Sequence, residues 1–197
     1  MKLRKKIVTL IAVLALAITG TAMAIPVATG QTAETSTKVL KFDVAEDATR
    51  FIFDEAPVFE DGLPAYGNAF VTSGYIYEHG TLNGSDGVLP DGSPEFPDKV
   101  IGSWICRGWF IGDGAHTQSG ALVVTTQYYQ FGDEPGRETI VMDGVEIADV
   151  NELLYRAITG GTGKYSNARG QGTQELLGFN QLEGVNLRFE LSVNTAP

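Results

Sequence analysis

The chain has 197 residues, enough for one domain with one sizeable core, and its 14 basic against 24 acidic side chains give a formal charge of −10. That balance argues against nucleic acid and anionic membrane surfaces as partners, because both need a basic face. The single cysteine, Cys106, excludes an intramolecular disulfide, so core packing and backbone pairing must hold the fold.

Lys2, Arg4, Lys5 and Lys6 precede an apolar run from Ile7 to Ile18, and Ala22-Met23-Ala24 forms an A-x-A cleavage site. The run is shorter than the roughly 20 apolar residues that span a bilayer. Met1–Ala24 therefore reads as a signal peptide cleaved after Ala24, and the protein as secreted. No cysteine stands directly after the cleavage site, which argues against a lipid anchor. The signal carries four of the 14 basic residues and no acidic one, so the mature chain keeps 10 basic against 24 acidic, a formal −14. Ile25–Asp47, rich in Thr, Ala and Ser, reads as a linker or loose N-terminal arm, with the folded domain over residues 48–197.

From Thr49 onward the signals are those of strands. Arg50–Asp54 is short and closes at Pro57. Asn68–Glu78, Val100–Ile111 and Leu122–Phe131 are rich in aromatic and β-branched residues. Glu138–Met142 ends at Asp143-Gly144, which reads as a turn. Leu153–Thr159, Arg169–Leu177 and Val185–Val193 bring the number to eight. The last alternates most clearly, with Val185, Leu187, Phe189, Leu191 and Val193 on one face and Asn186, Arg188, Glu190 and Ser192 on the other. In-strand glycines at 74, 102, 108, 170 and 172 permit the bends that close a barrel. The expected fold is an all-β, eight-stranded antiparallel β-barrel, whose interior holds side chains or one small ligand. An immunoglobulin-like sandwich is the alternative, opposed by the missing Cys pair and the glycine bends.

Asn83–Asp98 is the longest loop between these strands. It lacks the EF-hand spacing and is expected to act as a lid if it sits at a barrel mouth. His79 and His116 have no second His or Cys at ligand spacing, so no metal site is expected. No G-x-S-x-G elbow is present. Gly160–Lys164 (GGTGK) is not a phosphate loop: Tyr165 stands where Ser or Thr is needed, and a strand follows rather than a helix.

The stretch Tyr155–Gly178 holds GGTGKYSNARGQG, a glycine corner between two extended segments. It resembles the GGTG-x-[FY]-x-x-ARG signature of plant dirigent proteins, of which the allene oxide cyclases carry a looser version. The resemblance covers Leu153–Val193 by motif and Phe51–Met142 by strand spacing. It implies a calycin-type barrel that binds a small apolar or aromatic molecule and steers its cyclisation or coupling without metal or cofactor, as a homodimer or homotrimer. Arg169 falls on the Arg of the dirigent motif, which lies in the pocket and would hold a ligand oxygen by paired hydrogen bonds. Asp54 lies near the position of a family carboxylate, an acid or base at the mouth. Cys106 falls where the cyclases place a cavity Cys, and alternation sets Trp104 and Phe110 on its face. Of the adjacent Tyr128 and Tyr129, one must face inward. At two positions the pattern differs: Val145-Glu146 stand where the cyclases have a Tyr, and Lys164 where some dirigent proteins have an Asp.

Two rival readings make different demands on the lumen. A lipocalin-like carrier needs a wide apolar cavity without Arg169 or Asp54 pointing in. A structural or interaction module needs a barrel filled by Trp104, Phe110 and Phe189.

Overall fold

The structure is a computed structural model and describes residues 36–117 and 120–195. The expected signal peptide and its cleavage site lie outside them. The described strands are β1 (Ser36–Glu46), β2 (Ile52–Phe53), β3 (Ala69–Glu78), β4 (Val100–Phe110), β5 (Leu122–Phe131), β6 (Thr139–Ile147), β7 (Leu153–Gly161), β8 (Arg169–Phe179) and β9 (Val185–Thr195). All pair antiparallel in the order β1-β9-β8-β7-β6-β5-β4-β3, and β1 also pairs with β3, which closes an eight-stranded barrel. β2 is a ninth, short strand added along β3.

Two expectations about strand identity are corrected. The first barrel strand is not Arg50–Asp54, which contributes only the exposed pair Ile52–Phe53. It is Ser36–Glu46, placed in a linker by composition. Leu40, Phe42, Val44 and Glu46 alternate inward there, and the strand is the seam that pairs with both β9 and β3. Nor is Asp143-Gly144 a turn. β6 runs through it to Ile147, with Thr125 opposite Gly144 and Val123 opposite Glu146. An inward Cβ at residue 144 would sit 3.2 Å from Cγ of Arg156, so this glycine makes room for a buried arginine.

Other in-strand glycines do bend the wall. A Cβ at Gly102 or Gly108 would lie 2.0 or 2.2 Å from a carbonyl oxygen of β5, so the two strands approach more closely there than any side chain allows.

Alternation turns one face of each barrel strand into the lumen, and the main hydrophobic core lies there. One end is packed solid. Phe42 stacks on Phe189 at 5.3 Å and meets Tyr129 edge-on at 5.2 Å, with Phe131 beyond. The GGTG corner closes this end. Gly163–Tyr165 forms a single 3-10 turn that sets Tyr165 inward, 5.7 Å from Phe131, and Ala168 is fully buried beside it. The corner needs its glycines, since a Cβ at Gly161 would lie 2.5 Å from the carbonyl oxygens of Thr139 and Tyr165.

The long loop Asn83–Asp98 does not cover a mouth. It lies on the outside of the barrel over β1 and β3, where Ala45, Tyr77, Leu82 and Val88 form a second small core. Tyr75 donates to the Gly92 carbonyl at 2.9 Å and Asn186 to that of Ser85 at 3.0 Å. At the loop's entry, buried Asp43 accepts from the backbone N–H of Gly80 and Leu82 and takes a two-pronged bond from Arg188.

Candidate functional site

The other half of the lumen is open. A cavity of about 410 Å³ lies among the ends of β1, β3, β4, β5, β6, β8 and β9. Its walls are mostly apolar: Phe51, Phe70, Trp104, Phe110, Val123 and Leu187. Phe70 stacks on Phe51 at 5.5 Å and meets Phe110 at 5.3 Å, which fixes the aromatic wall. The lip is formed by Ala48, Ala121 and Ala148 and by the β8–β9 hairpin with Leu182 and Glu183. Asn180 ties that hairpin to β1 by donating to the Glu46 carbonyl at 2.9 Å.

A layer of polar side chains forms the floor between the cavity and the aromatic plug. Glu146 is its centre. Its Oε1 accepts from Gln127 Nε2 at 2.8 Å and from the Thr125 hydroxyl, and its Oε2 accepts from Gln174 Nε2 at 2.6 Å. Gln127 is saturated. It also donates to Gln174 Oε1 at 3.0 Å, and its own Oε1 accepts from Trp104 Nε1 at 3.2 Å and from the Tyr129 hydroxyl. Arg156 lies behind Glu146 with a side chain of 0% exposure; its Nη1 is 2.9 Å from Oε1, and its Nη2 donates to the Thr125 hydroxyl at 2.7 Å. The Nη1 contact is close enough for an ion pair but off the angle of a hydrogen bond, and Nε has no partner. Arg156 thus supplies charge to Glu146 more than directed bonds, and the polar layer supplies the bonds.

Glu46 is the second carboxylate of the cavity, and its surroundings differ. It is 5% exposed, accepts from the Thr72 hydroxyl at 2.6 Å and from the Val185 backbone N–H at 2.8 Å, and has no cation beside it. Burial pushes its carboxyl above the usual glutamate range, and the charges of Glu146 and Asp47 push the same way. One cavity therefore holds an arginine-paired carboxylate and a solitary buried one. That contrast is how a site separates acid and base roles between like groups.

The residues expected from sequence are divided by this geometry. Trp104, Cys106 and Phe110 line the cavity as alternation on β4 requires. Cys106 is buried with its sulfur 4.0 Å from Glu146, and burial raises its thiol well above the usual range, so it is inert apolar wall rather than nucleophile. Tyr129 does face inward, but into the aromatic plug below the floor. Tyr128 faces outward, with the Arg107 guanidinium 5.7 Å above its ring. Asp54 is exposed, in a shallow groove on the outer wall beside Trp109. Arg169 is exposed at the start of β8, at the plugged end, and donates to the Ala168 carbonyl at 2.7 Å. Neither reaches the cavity. The carboxylates that do face the cavity are Glu46 and Glu146, and Arg156, the arginine paired with Glu146, lies behind the wall.

The signal for these missed residues was period two. Arg156 falls on the same face as buried Ile158, and Glu146 on that of Met142 and Gly144, so a charge stands where alternation demands a lumen residue.

No protein-family model and no curated protein matches the chain. Among solved structures it is similar to two pterocarpan synthase dirigent proteins. The one called GePTS1 superposes with a TM-score of 0.57 at 17% identity, over 90% of this chain and 100% of that one. The one called PsPTS1 superposes with a TM-score of 0.57 at 16% identity, over 82% and 97%. What is shared at these identities is the fold, a closed antiparallel barrel of the dirigent type.

Proposed function

We propose that the barrel takes a small apolar or aromatic molecule into its open-end cavity and steers the cyclisation or coupling of that molecule. The observation that carries this is the pairing, in one apolar cavity, of a solitary buried carboxyl with an arginine-paired one. The volume is within the usual range for small-molecule sites. Aromatic walls hold the ligand in one folded conformation, and the gain comes mainly from that orientation. Glu46, which keeps its proton to a higher pH than a free glutamate, gives or takes a proton at a ligand heteroatom. Glu146, fixed by the floor, faces the same space. The likeness in fold to dirigent proteins supports the reading.

The test is binding of the neutral fluorophore N-phenyl-1-naphthylamine to the full chain. Saturable binding is expected, weakened at least about tenfold by Val123→Trp, which fills the cavity. Absence of saturable binding, or binding indifferent to Val123→Trp, refutes a ligand chamber. A carrier without turnover is the second reading, favoured by the bonds that already engage both oxygens of Glu146. Under it a ligand is recovered unchanged. Under steering, a cyclised or coupled product appears with biased stereochemistry.

A further inference from the structure

Every charged side chain lining the cavity is acidic: Glu46, Glu146 and, on the lip, Glu183. Among the described residues no Lys, Arg or His lines it. Arg156 already serves Glu146 from behind the wall. Glu46 has only neutral partners, the Thr72 hydroxyl and the Val185 N–H. The titratable groups around it are Glu146 on β6, the Cys106 thiol on β4 and its neighbour Asp47, and Asp47's ion pair is with the exposed Arg50 at 3.1 Å. Burying a carboxylate without a counter-charge is costly, and here the group is 5% exposed. The wall beside it is aromatic, with Phe51, Phe70, Trp104 and Phe110 presented to the same space. Aromatic faces and a carboxylate are the two protein groups that best hold a desolvated cation.

We propose that the ligand of this cavity is an organic cation, a protonated amine carried on an aromatic or aliphatic ring, with Glu46 as its counter-charge. The proposal rests on the cavity being the ligand site and narrows what it accepts. A carboxylate-bearing ligand meets three acidic groups and no free cation. A neutral one leaves Glu46 unpaired. A cation completes the pair and favours the ionised form of Glu46, so binding releases a proton wherever the free protein still holds that carboxyl protonated. The complex then holds Glu46 as a base, ready to accept a proton from the ligand. Affinity for the cation accordingly rises with pH and levels off once Glu46 is ionised in the free protein too.

The experiment uses three probes of one size and shape: 1-naphthylmethylamine, 1-naphthylmethanol and 1-naphthoate. Each is titrated against the full chain by Trp fluorescence, from acid to mildly alkaline pH and below the pKa of the amine. The expected order at neutral pH is ammonium over alcohol by about tenfold, and alcohol over carboxylate by about tenfold or more. Glu46→Gln keeps the hydrogen-bonding shape and is expected to bring the ammonium and alcohol affinities together while sparing the alcohol. Glu183→Gln, at an exposed position on the lip, is expected to cost the ammonium about twofold. Naphthoate binding as tightly as the amine, or an amine preference that survives Glu46→Gln, overturns the proposal. If none of the three binds, the cavity reading itself fails and takes this one with it. If only the alcohol binds, the cavity stands and the charge assignment falls.

Discussion

The two ends of this barrel are made from the same strands and do opposite things. At the plugged end, Phe42, Tyr129 and Phe189 meet ring to ring, Tyr165 packs on Phe131 beside them, and the GGTG corner seals them in. At the open end the same inward positions carry Glu46, Thr72, Thr125, Glu146 and Gln174 around empty space. Buried aromatic contacts stabilise a fold, whereas a cavity and buried carboxylates cost stability. The difference teaches that the molecule gathers its stability at one end and places the strain of a site at the other.

The largest expected effect breaks the plug. Phe189→Ala removes a fully buried ring packed against Phe42 and Tyr129 and should destabilise by about 4 kcal/mol. Phe110→Ala removes a ring of equal size from the cavity wall, where one side already lacks partners, and should cost less than half as much. Denaturant unfolding of both variants measures the contrast; equal losses would mean that the two ends are packed alike.

Next comes the floor between them. Arg156→Met strands Glu146 without its counter-charge and should cost about 3 kcal/mol. Adding Glu146→Gln should recover part of that loss, because the unpaired charge is gone although the new amide N–H must face a donor of Gln127 or Gln174. A double variant as unstable as Arg156→Met alone would show that the arginine matters as packing and not as charge. Gly161→Ala should cost about 2 kcal/mol through its clash with two carbonyl oxygens while leaving ligand affinity unchanged, since the corner belongs to the far end.

The legible parts of the sequence map unequally onto this division. On β4 and β9 one face is wholly lumen, and their inward sets could be read residue by residue, whereas on β5 alternation left open which of Tyr128 and Tyr129 faces in. β1 could not. Its period-two stretch from Leu40 to Glu46 is short, follows a Ser/Thr-rich run and ends on charged residues, so composition hid the seam strand and the carboxylate it carries. The Asp143-Gly144 pair imitates a hairpin turn, and only the arginine packed against residue 144 explains a glycine there. The GGTG motif drew attention to Arg169, but its conformation answers to closure of the plugged end. The site, by contrast, is assembled from single polar residues on β1, β5, β6, β7 and β8, brought to one level by barrel register that no local pattern encodes.

Glu46 sharpens the comparison through pH. Its folded-state carboxyl is raised by burial, so its contribution to stability is fully present below the ordinary glutamate pKa and is lost as pH rises through the folded value. Glu46→Gln should therefore match wild type in acid and melt at a higher temperature near neutrality, where the native carboxylate is paid for in stability. Thermal melts across pH check this. A Gln variant less stable than wild type at neutral pH would mean that ionised Glu46 is well compensated, and its role as a solitary carboxyl would fall.

The smallest effect is expected at Arg169. Its guanidinium is exposed and its one bond is to the preceding residue's carbonyl, so Arg169→Ala should stay within about 0.5 kcal/mol of wild type. Ligand affinity should not move either, because the cavity opens at the other end of β8, beside Gln174 and Leu176. Affinity for the naphthalene probes, measured on Arg169→Ala beside Arg156→Met, decides which arginine serves the site. A loss confined to Arg169→Ala would place the binding site at the corner and reverse the assignment of the two ends. A loss confined to Arg156→Met would mean that a motif placed for closure can sit on the same pair of strands as the site without taking part in it.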